Sequence, residues 1–165
     1  MRYVLQLFIL VLVWGNVGVV NALDSGSRES LRGMFGLAVV IEEVSPDAST
    51  DGLSQEAIRS AVEQTLRAKG IRLLTERTRS GSSPYLYVSV NTLKEELGLY
   101  AYSVTVDLKQ FVGLLSMKNK KTWGTTWSTS VIGMVRQENL SQIIADAVEP
   151  LVKDFTDDFL AVNPR

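Results

Sequence analysis

The chain of 165 residues contains no Cys and no His. Without Cys there is no disulfide, no thiolate nucleophile, no iron–sulfur cluster and no lipid-modified cysteine. Without His there is no Ser-His-Asp triad, no imidazole base and no ordinary zinc site. Excess charge of one sign is also missing: 17 Lys and Arg stand against 18 Asp and Glu, a formal net charge of −1. A protein that coats nucleic acid needs a strong basic excess, so nucleic acid is not an expected partner. No cofactor or metal is expected from this inventory.

Long apolar runs are absent except at the start of the chain. Arg2 supplies a positive charge, VLQLFILVLV follows from Val4 to Val13, and Val20-Asn21-Ala22 ends the segment on a small residue. This is the pattern of a secretory signal peptide over residues 1–22, cut between Ala22 and Leu23. The alternative is an uncleaved N-terminal membrane anchor, but Val4–Val20 is interrupted by Gly15, Asn16 and Gly18 and falls short of the roughly 20 apolar residues a span needs. An exported chain without Cys fits a bacterial periplasm better than a eukaryotic secreted domain, which more often carries disulfides. The expected location is periplasmic or secreted, with membrane contact only through the signal peptide. The residues after the cut can bury roughly two-thirds of their unfolded surface and fold as one domain.

Residues 23–33 are polar and rich in Gly and Ser, and are expected to form a flexible tether before a single domain over 34–165. Met34–Val44 reads as a first strand, apolar on both sides and therefore central. SPDASTDG, residues 45–52, reads as a loop. A helix is expected over 54–69: Ser54 can cap it, and Ile58, Ala61, Val62, Thr65 and Leu66 form one stripe. Gly70 closes it. Strands are then expected at Ile71–Thr78, Tyr85–Leu93, Leu99–Leu114 and Thr122–Val135, the last with Trp123, Trp127 and Val131 on one side. A final helix over 139–162 carries a continuous apolar stripe, and Pro150 should kink or divide it. The order β-α-β-β-β-β-α predicts an α+β two-layer sandwich: a five-stranded, mainly antiparallel sheet with two amphipathic helices on one face.

Four groups of residues could carry chemistry. Asp154, Asp157 and Asp158 share a helix face, but one face rarely supplies the oxygen ligands a hard cation needs. They read as the solvated side of the last helix. Glu42, Glu43 and Asp107 could furnish an acid–base pair, yet nothing in the sequence brings them together. Lys118, Lys120 and Lys121 form a hairpin tip that could touch phosphate headgroups, or simply blunt edge pairing. Tyr85, Tyr87, Tyr100, Tyr102, Trp123 and Trp127 fall on three successive strands. Against helices they are core; on a wet sheet face they would suit a sugar, peptide or lipid tail. Tyr100 and Tyr102 share parity with Val104 and Val106, which points to core; Tyr87 shares parity with Ser89 and Asn91, which points to exposure. Tyr85, Tyr87, Trp123, Trp127 and the three lysines are the candidate contact residues. Asn139-Leu140-Ser141 matches a glycosylation sequon but reads as a helix cap.

Ser83-Pro84-Tyr85-Leu86-Tyr87-Val88, then Gly98-Leu99-Tyr100-Ala101-Tyr102, Gln110, Thr122-Trp123 or Thr126-Trp127, Gly133 and a C-terminal Phe155-x-x-Asp158-Phe159-Leu160-x-x-Asn163-Pro164 together give the chain its signature. In these it resembles a group of small, uncharacterised exported bacterial proteins, over most of the sequence after the signal. The resemblance implies no activity, cofactor or functional residue. In size and element order there is a looser similarity to periplasmic envelope-assembly modules. Two functions from different classes follow. One is a non-catalytic binding or envelope-accessory module whose partner is an envelope protein or small ligand. The other is a carboxylate-dependent hydrolase acting on an envelope polymer. Missing His and Cys favour the first.

Overall fold

The computed structural model describes residues 25–75 and 80–164. The N-terminal apolar run and the expected cut between Ala22 and Leu23 lie outside them. The elements are helix α1 (Ser25–Glu29), strand β1 (Ala38–Ile41), helices α2 (Pro46–Thr50) and α3 (Gln55–Ala68), strands β2 (Tyr85–Lys94), β3 (Leu99–Gly113) and β4 (Lys121–Arg136), and helix α4 (Leu140–Val162). Among the described residues, no helix is long and apolar enough to cross a membrane.

The sheet corrects the expected fold class. Among the described residues it has four strands, in the order β1-β2-β3-β4, not five. It is mixed: β1 runs parallel to β2, whereas β2, β3 and β4 form an antiparallel meander. The strand expected at Ile71–Thr78 is reduced to a single bridge between Leu37 and Leu73; residues 76–79 of that expectation lie outside the described residues. Ile71 is apolar because it is buried in the core, not because it belongs to a ladder. β1 is an edge strand, not a central one. The α+β class is compatible with this arrangement, but among the described residues four helices stand where two were expected.

Helix α3 forms where the periodicity places it. The Ser54 hydroxyl accepts from the Ala57 N–H, and Ile58, Val62 and Leu66 are buried. Each of those side chains contributes roughly 1.5–3 kcal/mol by leaving water. Gly70, at φ +64°, ends it in the left-handed conformation that Gly adopts most easily. The expected loop 45–52 contains α2, because the Ser45 hydroxyl caps it and Pro46 starts it. Helix α4 runs unbroken from Leu140 to Val162 with Pro150 inside. Pro150 is exposed, so the carbonyl left without a donor by its missing N–H can turn to water. Asn139 stands at the start of α4 but makes no side-chain capping bond.

The packed layer gathers Ile58, Val62 and Leu66 of α3, Ile144, Val148, Leu151, Val152 and Phe155 of α4, and one face of the sheet: Ile41, Leu86, Val88, Val90, Val104, Val106, Leu108, Trp127 and Val131. Among the described residues, every buried core residue lies between Leu31 and Val162. Of the segment expected to be a flexible tether, the described part is packed against the domain. Leu31 is fully buried. Asn163 donates to the Leu31 carbonyl at 2.9 Å and accepts from the Gly33 N–H at 2.7 Å, clipping the start of the domain to its end.

Candidate functional site

One face of the sheet carries both long helices; among the described residues the other carries none. Strand alternation assigns Leu86, Val88 and Val90 to the covered face and Tyr85, Tyr87, Ser89 and Asn91 to the open one. On β3, Asp107 and Lys109 lie opposite Tyr87 and Tyr85, so they share the open face.

Strand β4 changes sides part-way. Leu108 pairs with Trp127, but Lys109 pairs with Thr125, leaving Thr126 as an extra residue in a β-bulge. One inserted residue reverses the parity of everything beyond it. Trp127 is therefore in the core and 1% exposed, whereas Trp123 is on the open face and 39% exposed. The expectation that Trp123 and Trp127 share a side is thus corrected, and Trp127 leaves the candidate surface. Its indole N–H donates to Asp158 Oδ2 at 3.0 Å, and its ring meets Phe155 edge-on at 5.2 Å.

The bulge assembles an aromatic cluster. Tyr85 and Trp123 meet edge to face with centroids 5.0 Å apart, Trp123 meets Phe111 at 5.6 Å, and Tyr85 meets Tyr87 at 6.5 Å. Tyr85, Tyr87 and Trp123, with Val40, Ser80, Gly81 and Ser83, line a hollow of about 310 Å³. A second hollow of about 510 Å³ adjoins it across Ser80 and Ser83 and includes Phe35, Phe111 and Arg72, whose guanidinium lies 4.2 Å over the Phe35 ring. The sequence singled out Tyr85, Tyr87 and Trp123; it missed Phe111, whose parity with Trp123 is visible only once the bulge is placed.

Beside the aromatics is a polar relay. Ser128 Oγ donates to Asp107 Oδ1 at 2.6 Å; Lys109 Nζ donates to Asp107 Oδ2 at 2.8 Å and to Thr125 Oγ1 at 2.6 Å. Lys109 also lies 5.8 Å from the Tyr87 ring centre. Burial, and then its hydrogen bond to Glu42, hold the Tyr87 hydroxyl above its ordinary pKa, so it remains a donor at neutral pH. Asp107 is thus bound to a cation and a hydroxyl. Glu42 and Glu43 are exposed at the end of β1. No catalytic pair is formed from these acids by any contact among the described residues.

The other candidates separate. Asp158, expected on a solvated face, is buried: it binds Arg28 Nε at 2.6 Å as well as Trp127, and so fastens α1 to α4 and β4. Asp157 pairs with Lys153 at 2.5 Å, and burial raises the Asp154 pKa. Among the described residues, no group of three potential ligands could hold a metal ion. Tyr100 is fully buried; its hydroxyl donates to Asp51 Oδ2 at 2.5 Å, and that carboxylate also takes Lys94 Nζ at 2.7 Å. Tyr102 packs over Gly133, where a Cβ would come within 2.6 Å of its hydroxyl, so any larger residue would make the Tyr102 ring shift. Lys118 and Lys120 are in the exposed β3–β4 turn, and Lys121 opens β4.

No family model matches the sequence, and no curated protein sequence does. Among solved structures, the chain is similar to a minor lipoprotein from Acinetobacter baumannii, at 10% identity and a TM-score of 0.40 over 77% of this chain and 93% of that one. It is also similar to a "putative lipoprotein" from Caulobacter crescentus, at 15% identity and a TM-score of 0.37 over 85% of this chain and 98% of that one.

Proposed function

We propose that this chain is an exported, non-catalytic binding module of the bacterial cell envelope, and that it holds a saccharide-like ligand on the helix-free face of its sheet. The observation that carries this reading is the Tyr85–Trp123–Phe111 cluster, in which Trp123 and Phe111 are exposed and Tyr85 half-buried where a core-only role would have buried all three. An aromatic ring presents a negative face, onto which the C–H groups of a sugar ring can stack. The neighbouring relay supplies both donors and acceptors, and Asp107 and Lys109 neutralise each other, which suits hydroxyls better than an ion. A sheet face offers side chains, not free backbone groups, so it does not favour an extended peptide. Export rests on the signal-like residues 1–22.

The test is titration of the purified protein with oligosaccharide fragments of the cell envelope, followed by calorimetry. Trp123→Ala should weaken binding at least tenfold, as truncating an aromatic anchor that the partner covers commonly does. Binding unchanged in both Trp123→Ala and Tyr85→Ala would overturn the reading. A mass beginning at Leu23 in protein recovered from its own envelope supports export; an intact Met1 contradicts cleavage.

A further inference from the structure

Beyond Lys109 the sheet narrows. β2 pairs with β3 only as far as Lys109, so Gln110–Gly113 and Lys121–Gly124 continue as a two-stranded arm. Such a ribbon is marginal alone and extends past the body of the sheet. Its turn is closed by the Leu114 N–H donating to the Lys120 carbonyl at 2.9 Å, with Asn119 at φ +65°.

The composition of that turn is unusual for a solvated loop. Leu115 is fully exposed, Met117 is about half-exposed and Leu114 more than a third exposed. Phe111 and Trp123 face one another at the base of the arm. Lys118, Lys120 and Lys121 sit among these apolar residues, and among the described residues none of their side chains makes an ion pair. From Leu108 to Gln137 the sequence carries no Asp or Glu. Apolar tip, cationic collar and an aromatic belt behind them is the arrangement that suits a membrane interface: apolar side chains enter the acyl boundary, lysines meet phosphate headgroups, and Trp lies at headgroup level.

We infer that the β3–β4 arm docks the protein onto an anionic lipid bilayer, with Leu115 and Met117 as the wedge and Lys118, Lys120 and Lys121 as the headgroup contacts. The lipid surface is favoured over free phosphate because the cations surround exposed apolar side chains, for which an inorganic ion has no use. A soluble partner protein is the poorer fit: three unpaired lysines on a short turn do not make a core of the kind protein interfaces bury. Asp107, Lys109 and Ser128 belong to the part of β3 and β4 before the arm, whereas Phe111 and Trp123 lie within it.

The test uses residues 23–165, which hold every buried core residue found among the described residues and omit the apolar N-terminal run that would itself bind lipid. Vesicles of phosphatidylglycerol with phosphatidylethanolamine are compared with vesicles of phosphatidylcholine alone, by co-sedimentation and by Trp emission. Binding should be confined to the anionic vesicles, shift Trp emission to shorter wavelength and fall as salt is raised. Replacing all three lysines by Gln should weaken it about a hundredfold, at roughly 1 kcal/mol per lysine. Leu115→Ser should weaken it about tenfold, and Met117→Ser serves as a second wedge variant, with circular dichroism confirming the fold of each. Equal binding to neutral vesicles, no binding to either kind, or full binding by the triple Gln variant would overturn the inference. So would competition by millimolar inorganic phosphate with no effect of Leu115→Ser, which would identify a phosphate site.

Discussion

Trp123 and Trp127 stand four residues apart on one strand and live in different surroundings. Trp127 is enclosed between the sheet and α4, with its indole N–H spent on Asp158. Trp123 faces outward between Tyr85 and Phe111. What separates them is Thr126, the extra residue of the bulge. The covered face uses its aromatics for stability, and the open face keeps its own available. A bulge that re-aims a side chain toward a site is a recurrent use of that irregularity.

The largest effect should come from breaking the covered side. Trp127→Ala removes a fully packed ring and should cost about 3–5 kcal/mol in denaturant unfolding. Asp158→Ala should cost about 2–3 kcal/mol, because it strands the buried indole donor and frees Arg28. It should also expose α1 to proteolysis. If Asp158→Ala unfolds at the parental midpoint, the clasp does not hold the N-terminal segment.

Acid should loosen a second fastening. The bonds from Lys94, and then Tyr100, hold the Asp51 carboxyl below its ordinary pKa. A carboxyl lowered in the folded state stabilises fully above its unfolded value, near 4, and that contribution fades as pH falls through the folded value. Stability should therefore decline below about pH 4, and less steeply in Asp51→Asn, as read from urea midpoints across that range.

Smaller effects sharpen the contrast. Thr126 Oγ1 is buried without a hydrogen-bond partner. Thr126→Val should leave stability unchanged or raise it by up to about 1 kcal/mol; a clear loss would mean that the hydroxyl holds the bulge. Trp123→Ala should change stability by less than about 1 kcal/mol while removing ligand binding. A loss as large as that of Trp127→Ala would make Trp123 a core residue and dissolve the comparison.

Much of this was legible in the chain, and the misses have physical causes. Helix α3, helix α4 and the β2–β3–β4 meander follow from periodicity, because long amphipathic stretches constrain themselves. The extra strand at Ile71–Thr78 failed because β-branched and apolar residues also serve buried connections, as Ile71 does. Residues 25–33 read as a tether because Leu31 is a single apolar residue in a polar stretch, and only tertiary packing buries it. Asp158 looked solvated by its neighbours in sequence, yet its partners, Arg28 and Trp127, are far away along the chain. Of the candidate site, Tyr85, Tyr87 and Trp123 could be read directly. Phe111 and the exclusion of Trp127 could not, since a bulge leaves no mark in a pattern of Thr, Trp and Ser.

The most direct test of the open face as the binding side is a two-dimensional NMR titration of residues 23–165 with envelope oligosaccharides, watching the indole N–H signals. The Trp123 indole should shift on titration, together with amides of Tyr85 and Tyr87, while the Trp127 indole, held by Asp158, stays in place. Movement of Trp127 and the α4 amides with Trp123 unmoved would put the ligand on the helix side and contradict the account.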